Sequence, residues 1–266
     1  MSLLLLFLSI CLAAWVPGAQ VRCRTPSCMC ELQTSNRAPP TNWMLEIYFS
    51  EDSSIVSNAQ QQELRQWGYR PAVTIGSTDG CGSHQHNQQL AADRLQSTNR
   101  LLDQVVKTQN LGEISASHRW DTRRVLVIDP HRRLLRLIAT HPADYYLIDG
   151  SGSMKSHWGE ISRFPFPKDA EIYLAKTENC HNGQLVDRAQ PDGPTEIWMP
   201  YYRIIERATK GSTILVISDF DSKKKLSSGG YSLLEQRAKT KNLTIHVIKY
   251  GGYSKKVPGE TTSTRY

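Results

Sequence analysis

The sequence predicts an α/β protein of two successive units, a small α/β sandwich followed by a compact doubly wound, Rossmann-like domain. Three observations carry this. Apolar runs of strand length alternate with amphipathic stretches along most of the 266 residues, a pattern that favours sheets covered by helices. A Gly-rich turn, Gly76-Ser77-Thr78-Asp79-Gly80-Cys81-Gly82-Ser83, separates a strand-like run from the longest amphipathic stretch. An apolar run, Tyr145-Tyr146-Leu147-Ile148, meets Asp149-Gly150-Ser151-Gly152-Ser153, as a buried strand does when it delivers polar groups to a loop at its carboxyl end.

The elements follow in order. Leu3 to Trp15 is uncharged and apolar and leads into Pro17-Gly18-Ala19, so residues 1–19 are expected to be a signal peptide or membrane anchor. No Lys or Arg precedes the run, Pro17 is awkward for cleavage after Ala19, and Ser9-Ile10 before Cys11 is a poor lipobox. Cleavage, retention and lipidation therefore stay open, and each is expected to export the rest of the chain. Residues 20–42 read as a Cys-containing linker. Beyond the leader stand Cys23, Cys28, Cys30, Cys81 and Cys180, an odd count that leaves one thiol over or pairs it between chains. Cys23, Cys28 and Cys30 lack the Cys-x-x-Cys spacing and a nearby fourth ligand, so a local or intermolecular disulfide is expected rather than a zinc cluster. The net charge of +7 suits a polyanionic envelope surface. Its basic residues form no stripe interleaved with aromatics, which argues against nucleic acid.

The first unit is expected over 43–140. Trp43 to Phe49 reads as a strand, Asn58 to Trp67 as a helix and Pro71 to Ile75 as a strand. Asn87 to Thr108 reads as a long helix with Leu90, Leu95, Leu101, Leu102 and Val105 along one side. Ile114 to Ser117 can form a short strand and Arg124 to Ile128 a firmer one. Leu134 to Ala139 reads as an added strand, paired with Val125–Ile128 through Asp129-Pro130-His131-Arg132. His141-Pro142-Ala143-Asp144 marks the boundary.

The turn before the long helix resembles the signature of the OmpA-like peptidoglycan-binding domain. That signature is Gly-x-Thr-Asp-x-x-Gly, an Asn five residues later, a Leu and a helical Arg. Thr78, Asp79, Gly82, Asn87, Leu90 and Arg94 fall in register, and Asp121-Thr122-Arg123-Arg124-Val125 resembles the family's last-strand opening. The resemblance covers roughly 44–130. It implies that Asp79 receives the ammonium and Arg94 the carboxylate of diaminopimelate in the cell-wall peptide, with Thr78 and Asn87 shaping the site. Asn87 is expected to tie the turn to the helix start. The chain departs from the family in a short segment, Ser117 to Arg123, and in Ala91 and Leu95 where the helix usually carries Ser and Ala.

The second unit is expected over 143–252, with strands at 145–149, 171–175, 213–218 and 243–248. Helices are expected near 155–162, 195–209 and 230–240, and residues 253–266 are left as a flexible tail. Alternate residues of an extended segment point the same way, so Asp149, Ser151 and Ser153 can converge on one hard cation. Thr195 follows Gly193-Pro194, and Thr213 to Ser218 is a second apolar strand ending at Asp219. Asp-x-Ser-x-Ser, then a Thr, then an Asp at a strand end resembles the metal-ion-dependent adhesion site of the von Willebrand factor A domain. The resemblance implies one Mg2+ (or Mn2+) held by Asp149, Ser151, Ser153, Thr195 and Asp219, with a vacant position for a partner protein's carboxylate. Phe220 replaces the Gly usual after the last Asp, and Asp221 reads as an exposed loop residue.

Ser151 or Ser153 with His157 could imitate a hydrolase pair, but no Gly-x-Ser-x-Gly elbow is present. His84, His86 and His181 are read as surface loop residues without metal spacing. The two resemblances together imply a non-enzymatic scaffold of the periplasm or cell envelope, free or membrane-anchored, that anchors to peptidoglycan and recruits a protein through the metal. The alternatives are a structural subunit of an envelope-spanning secretion or conjugation machine with vestigial sites, and a metal-dependent cell-wall hydrolase.

Overall fold

The structure, a computed structural model, describes residues 28–33, 43–114, 122–176, 184–186, 188–222, 225–251 and 253–266. The expected leader, Cys23, Cys180, His181 and Asp121 lie outside them. The fold is α/β. Among the described residues no helix is long and apolar enough to cross a membrane.

The first unit runs β2 (Met44–Tyr48), α1 (Asn58–Trp67), β3 (Ala72–Thr78), α2 (His84–Asn99), β4 (Val105–Glu113) and β5 (Arg124–Ile128). Its sheet has the order β2-β5-β3-β4, with β5 antiparallel to both neighbours and β4 parallel to β3. Serine hydroxyls start both helices: Ser57 caps α1, and Ser83 caps α2 by accepting from His86 N, satisfying donors that a helix start leaves unpaired.

The second unit runs α3 (Arg133–Ala139), β6 (Tyr145–Asp149), a 3-10 turn (Gly152–Met154), α4 (Lys155–Ile161), β7 (Glu171–Lys176), β8 (Gln184–Leu185), α5 (Trp198–Arg207), β9 (Thr213–Ser218), α6 (Ser228–Thr240), β10 (Thr244–Lys249) and β11 (Thr262–Arg265). With β1 (Cys28–Gln33) it forms a seven-stranded sheet of order β11-β10-β9-β6-β7-β1-β8. All pairings are parallel except β1 with β7. From β6 the chain steps to β7 on one side and later to β9 on the other, so strand order reverses there. The carboxyl end of β6 is therefore a switch point, where open α/β sheets form a crevice.

Alternation along the strands sorts the core. Tyr145, Leu147, Val216 and Val247 bury one face of the large sheet against Tyr201, Ile204 and Ile205 of α5 and Leu234 of α6. Tyr146, Ile148, Leu174, Leu215 and Ile248 bury the other against Leu134, Leu135 and Ile138 of α3 and Trp158 and Ile161 of α4. The same cluster continues into Met44, Val73, Ile75, Leu126 and Ile128 of the small sheet, so the two sheets share one core across the α3–α4 layer. Arg124 spans the junction, donating to Glu46 Oε1 at 2.6 Å and to the Pro165 carbonyl at 2.9 Å. The outer face of the small sheet packs Ile47, Val125 and Val127 on Leu64 and Trp67 of α1 and Leu95 of α2.

Five expectations change. Leu134–Ala139 is helical, because Leu134, Leu135, Ile138 and Ala139 make a helical stripe that is wholly buried. The long helix starts at His84 and ends at Asn99. Val105 onward instead pairs with β3 as β4, where a ladder and β-branched Val105, Val106 and Thr108 outweigh helical spacing. That pairing also takes the place foreseen for a strand at 114–117; Ile114 follows β4, and 115–117 lie outside the described residues. The linker contributes β1, which adds to the large sheet beside β7. The tail holds β11 against β10, its approach fixed by buried Val257 and by Lys249 Nζ, which pairs with Glu260 at 2.7 Å.

Candidate functional site

At the switch point the large sheet presents a cluster of oxygen donors. Asp149 ends β6 and is fully buried. Its Oδ1 accepts from Ser151 N at 2.8 Å and its Oδ2 from the Ser218 hydroxyl at 2.6 Å. The Ser151 and Ser153 hydroxyls lie 2.7 Å apart, and Ser153 Oγ donates to Asp219 Oδ2 at 2.5 Å. Asp219 Oδ1 accepts from Asp221 N at 2.9 Å, which closes the turn after β9. Burial pushes the Asp149 carboxyl up to about 6, and the neighbouring Asp219 charge pushes the same way against the bonds from Ser218 and Ser151. An ionised buried carboxylate beside a second acid is unfavourable unless a cation compensates it.

Thr195 comes from a different loop and is buried, donating to the Ala175 carbonyl at 2.9 Å. The same carbonyl accepts from Gly150 N at 2.8 Å, which sets Thr195 against the Asp149–Ser153 turn. The five residues named from sequence thus meet at one end of the sheet. The donors are two carboxylates and three hydroxyls. Among the described residues no group of three or more His, Cys, Asp or Glu could hold a metal. Such an all-oxygen set with little charge fits a hard cation that keeps several waters, as Mg2+ does. Asp149 accepts from Ser151 N and from the Ser218 hydroxyl, and the Ser151 hydroxyl also acts to lower its pKa.

Two residues beside this cluster shape it: Ser218, which the motif does not include, and Phe220, whose departure from Gly the sequence shows but whose conformation it does not. Ser218, the polar break at the end of the apolar β9 run, orients Asp149. Phe220 stands at φ +55°, a left-handed conformation that explains why Gly suits this position. Its ring is held by Tyr253, stacked at 4.9 Å, and by Trp198 at 5.5 Å.

The small sheet presents the second set. Asp79 follows β3 and is nearly buried, its Oδ2 accepting from Arg123 Nε at 2.5 Å. Arg94 is fully buried in α2; its Nε donates to the Ser53 carbonyl at 2.9 Å and Nη2 to the Ser50 carbonyl at 3.0 Å. The guanidinium lies 5.2 Å from the Phe49 ring centre, and Nη1 is buried with no hydrogen-bond partner among the described residues. Burial lowers the Arg94 pKa to about 10, opposed by the Asp79 charge. Thr78 Oγ1 donates to the Asp79 carbonyl at 2.8 Å. Buried Asn87 joins α2 to the end of β4, donating to Glu113 Oε2 at 3.2 Å; the helix start is capped by Ser83, not by Asp79 or Asn87.

Asp79 and Arg94 therefore share one electrostatic environment, but neither has its charged group idle. The carboxylate expected to receive an ammonium is bound by Arg123, which the Arg-Arg-Val segment could have flagged. The Cys81 thiol sits beside this pair, its pKa raised by burial and then by Asp79. Of the loop histidines, His86 pairs with Asp52 at 3.0 Å on the surface. His157 packs on Tyr250 and Tyr266, not on Ser151 or Ser153.

The crystal structure of the peptidoglycan-associated lipoprotein from Burkholderia pseudomallei aligns over 31% of this chain and 87% of that one, with 21% identity and a TM-score of 0.25. No protein-family model matches the chain, and no curated protein does.

Proposed function

We propose that this chain is a non-catalytic protein of the bacterial cell envelope that recruits a protein partner through a divalent cation and contacts peptidoglycan through its first unit. The observation that carries the proposal is the hydrogen-bonded chain from Ser218 through Asp149 and Ser151 to Ser153 and Asp219, with Thr195 seated against the same turn. In this reading Asp149, Ser151, Ser153, Thr195 and Asp219 hold Mg2+ or Mn2+, as the likeness to the von Willebrand A adhesion motif implies. A bound cation would offer a coordination position to a carboxylate from the partner. Asp149, held by the Ser218 hydroxyl, would supply buried negative charge to such an ion, and the serine hydroxyls would add neutral oxygen donors.

For the first unit, the motif residues support a site for the zwitterionic end of diaminopimelate in which Asp79 faces the ammonium and Arg94 the carboxylate, with Thr78 and Asn87 holding the turn. The unpartnered Arg94 Nη1 supports an anionic ligand group. The Asp79–Arg123 pair favours a second reading, in which this cleft is vestigial and the unit serves as scaffold in an envelope-spanning assembly. A periplasmic or envelope location follows from either.

The test is co-purification from envelopes with Mg2+ or with EDTA, using wild type and Asp149→Ala. Partner recovery that needs both Mg2+ and Asp149 supports the proposal; recovery indifferent to both contradicts it. Release of soluble fragments from purified sacculi would favour the hydrolase alternative.

A further inference from the structure

We propose that Lys176 is a positioning residue for the metal site, its buried ammonium strapping the 190–195 loop across the Asp149–Ser153 turn so that Thr195 is held in place as a ligand. The inference rests on the metal-binding reading above. Lys176 ends β7, one residue after the Ala175 carbonyl that receives both Gly150 N and Thr195 Oγ1. Its Nζ donates to the Gln190 carbonyl at 2.8 Å and pairs with Asp192 Oδ1 at 2.5 Å. Asp192 N in turn donates to the Gly150 carbonyl at 3.0 Å, and Gly152 N donates to the Gly193 carbonyl at 2.9 Å. The strap and the turn therefore close a circuit: strand end, ammonium, loop, turn and back to the strand.

The circuit has little room to shift. The Lys176 side chain is 4% exposed while that of Asp192 is 47% exposed, so the ammonium is reached from below the turn and the carboxylate closes over it. A Cβ at Gly150 would stand 2.5 Å from Lys176 Cγ and 2.8 Å from Leu174 Cδ1, so the lysine stem fills the space under the turn. A buried ammonium must be paired and hydrogen-bonded, and here those partners are loop residues just before Thr195. Asp149, Ser151 and Ser153 are set by their own strand, and Asp219 by β9. Thr195 is the ligand that arrives on a loop without a strand behind it, and Lys176 supplies the missing anchor.

The test measures Mn2+ affinity of the whole chain, from the free-ion electron paramagnetic resonance signal, in wild type, Lys176→Met, Thr195→Ala and the double variant. Lys176→Met keeps the stem under Gly150 and removes only the strap. Groups that orient metal ligands typically change affinity by about 10- to 100-fold, so Lys176→Met is expected to weaken binding at least roughly tenfold. The double variant is expected to bind no more weakly than Thr195→Ala alone, because the strap acts through Thr195. Wild-type affinity in Lys176→Met, or an equal loss in both backgrounds, overturns the strap and leaves the metal site standing. Wild type that does not bind Mn2+ overturns both. Should Lys176→Met fail to fold, Asp192→Asn carries the same comparison: loss with Thr195 present and none with it absent supports the strap, and any other pattern overturns it.

Discussion

Replacing Asp149 by Asn should stabilise the protein when no metal is bound and abolish its response to metal. The carboxyl is fully buried and its pKa stands at about 6 against an ordinary 3.8. At about 1.4 kcal/mol per tenfold change, keeping it ionised above that pKa costs the folded state roughly 3 kcal/mol. Asn has the same shape and no charge. Its oxygen can still accept from Ser151 N, and the Ser218 hydroxyl can rotate to accept from its amide nitrogen. At pH 7.5 in EDTA, Asp149→Asn should therefore melt several degrees above wild type, since 1 kcal/mol is about 2–4 °C in chains of this size. With Mg2+ at about 100 times its Kd, wild type should gain about 2.7 kcal/mol and the variant nothing. The order of the two curves thus narrows or reverses with metal. An Asn variant that melts below wild type in EDTA refutes the electrostatic argument, and equal Mg2+ shifts refute the ligand assignment.

Further outcomes follow from the same geometry. Because the folded Asp149 pKa is raised, metal-free wild type should lose stability as pH rises from about 4 to 6. Metal competes with that proton, so the Mg2+-induced melting shift should be small at pH 5 and reach its full size above pH 7; a shift equal at both would contradict it. Phe220→Gly removes left-handed strain worth about 1–3 kcal/mol but also a buried ring whose truncation costs about 3–5 kcal/mol, so urea denaturation should show a net loss of roughly 2 kcal/mol. If the first unit binds peptidoglycan, Asp79→Asn and Arg94→Met should each lower co-sedimentation with sacculi roughly thirtyfold or more, the cost of breaking a buried charge contact. Circular dichroism serves as the folding control, and unchanged sedimentation of both variants would favour the vestigial-cleft reading.

Much of the second unit was legible because its strands are buried on both faces. Continuous apolar runs such as 145–148 and 213–217 can hardly be anything but inner strands, and the polar residues that end them mark the switch point. Thr195 was legible only by likeness, since nothing in a loop of Gly, Pro and Asp announces that it folds back onto Ala175. Ser218 and Lys176 were hidden for a similar reason: each acts through a neighbour, Ser218 through Asp149 and Lys176 through a loop. In the first unit the motif singled out Asp79, Asn87 and Arg94 but said nothing of the partners the structure gives them. Arg123 reaches Asp79 from 44 residues away, a separation that spacing rules cannot see. Leu134–Ala139 failed as a strand because a short apolar run is ambiguous by itself. The α3 layer wanted a stripe to cover both sheets, and tertiary burial decided the outcome. The tail carried too few apolar residues to read as a strand; β11 exists because β10 offered an open edge.

The central claim is a divalent cation held by residues from three separate segments at the carboxyl end of the large sheet. Crystals grown with Mn2+ and measured for anomalous scattering test it directly. The account predicts one strong peak bounded by Asp149, Ser151, Ser153, Thr195 and Asp219, with an all-oxygen coordination shell completed by water. An ordered, folded crystal at millimolar Mn2+ with no peak among these residues, or a peak elsewhere only, would contradict it.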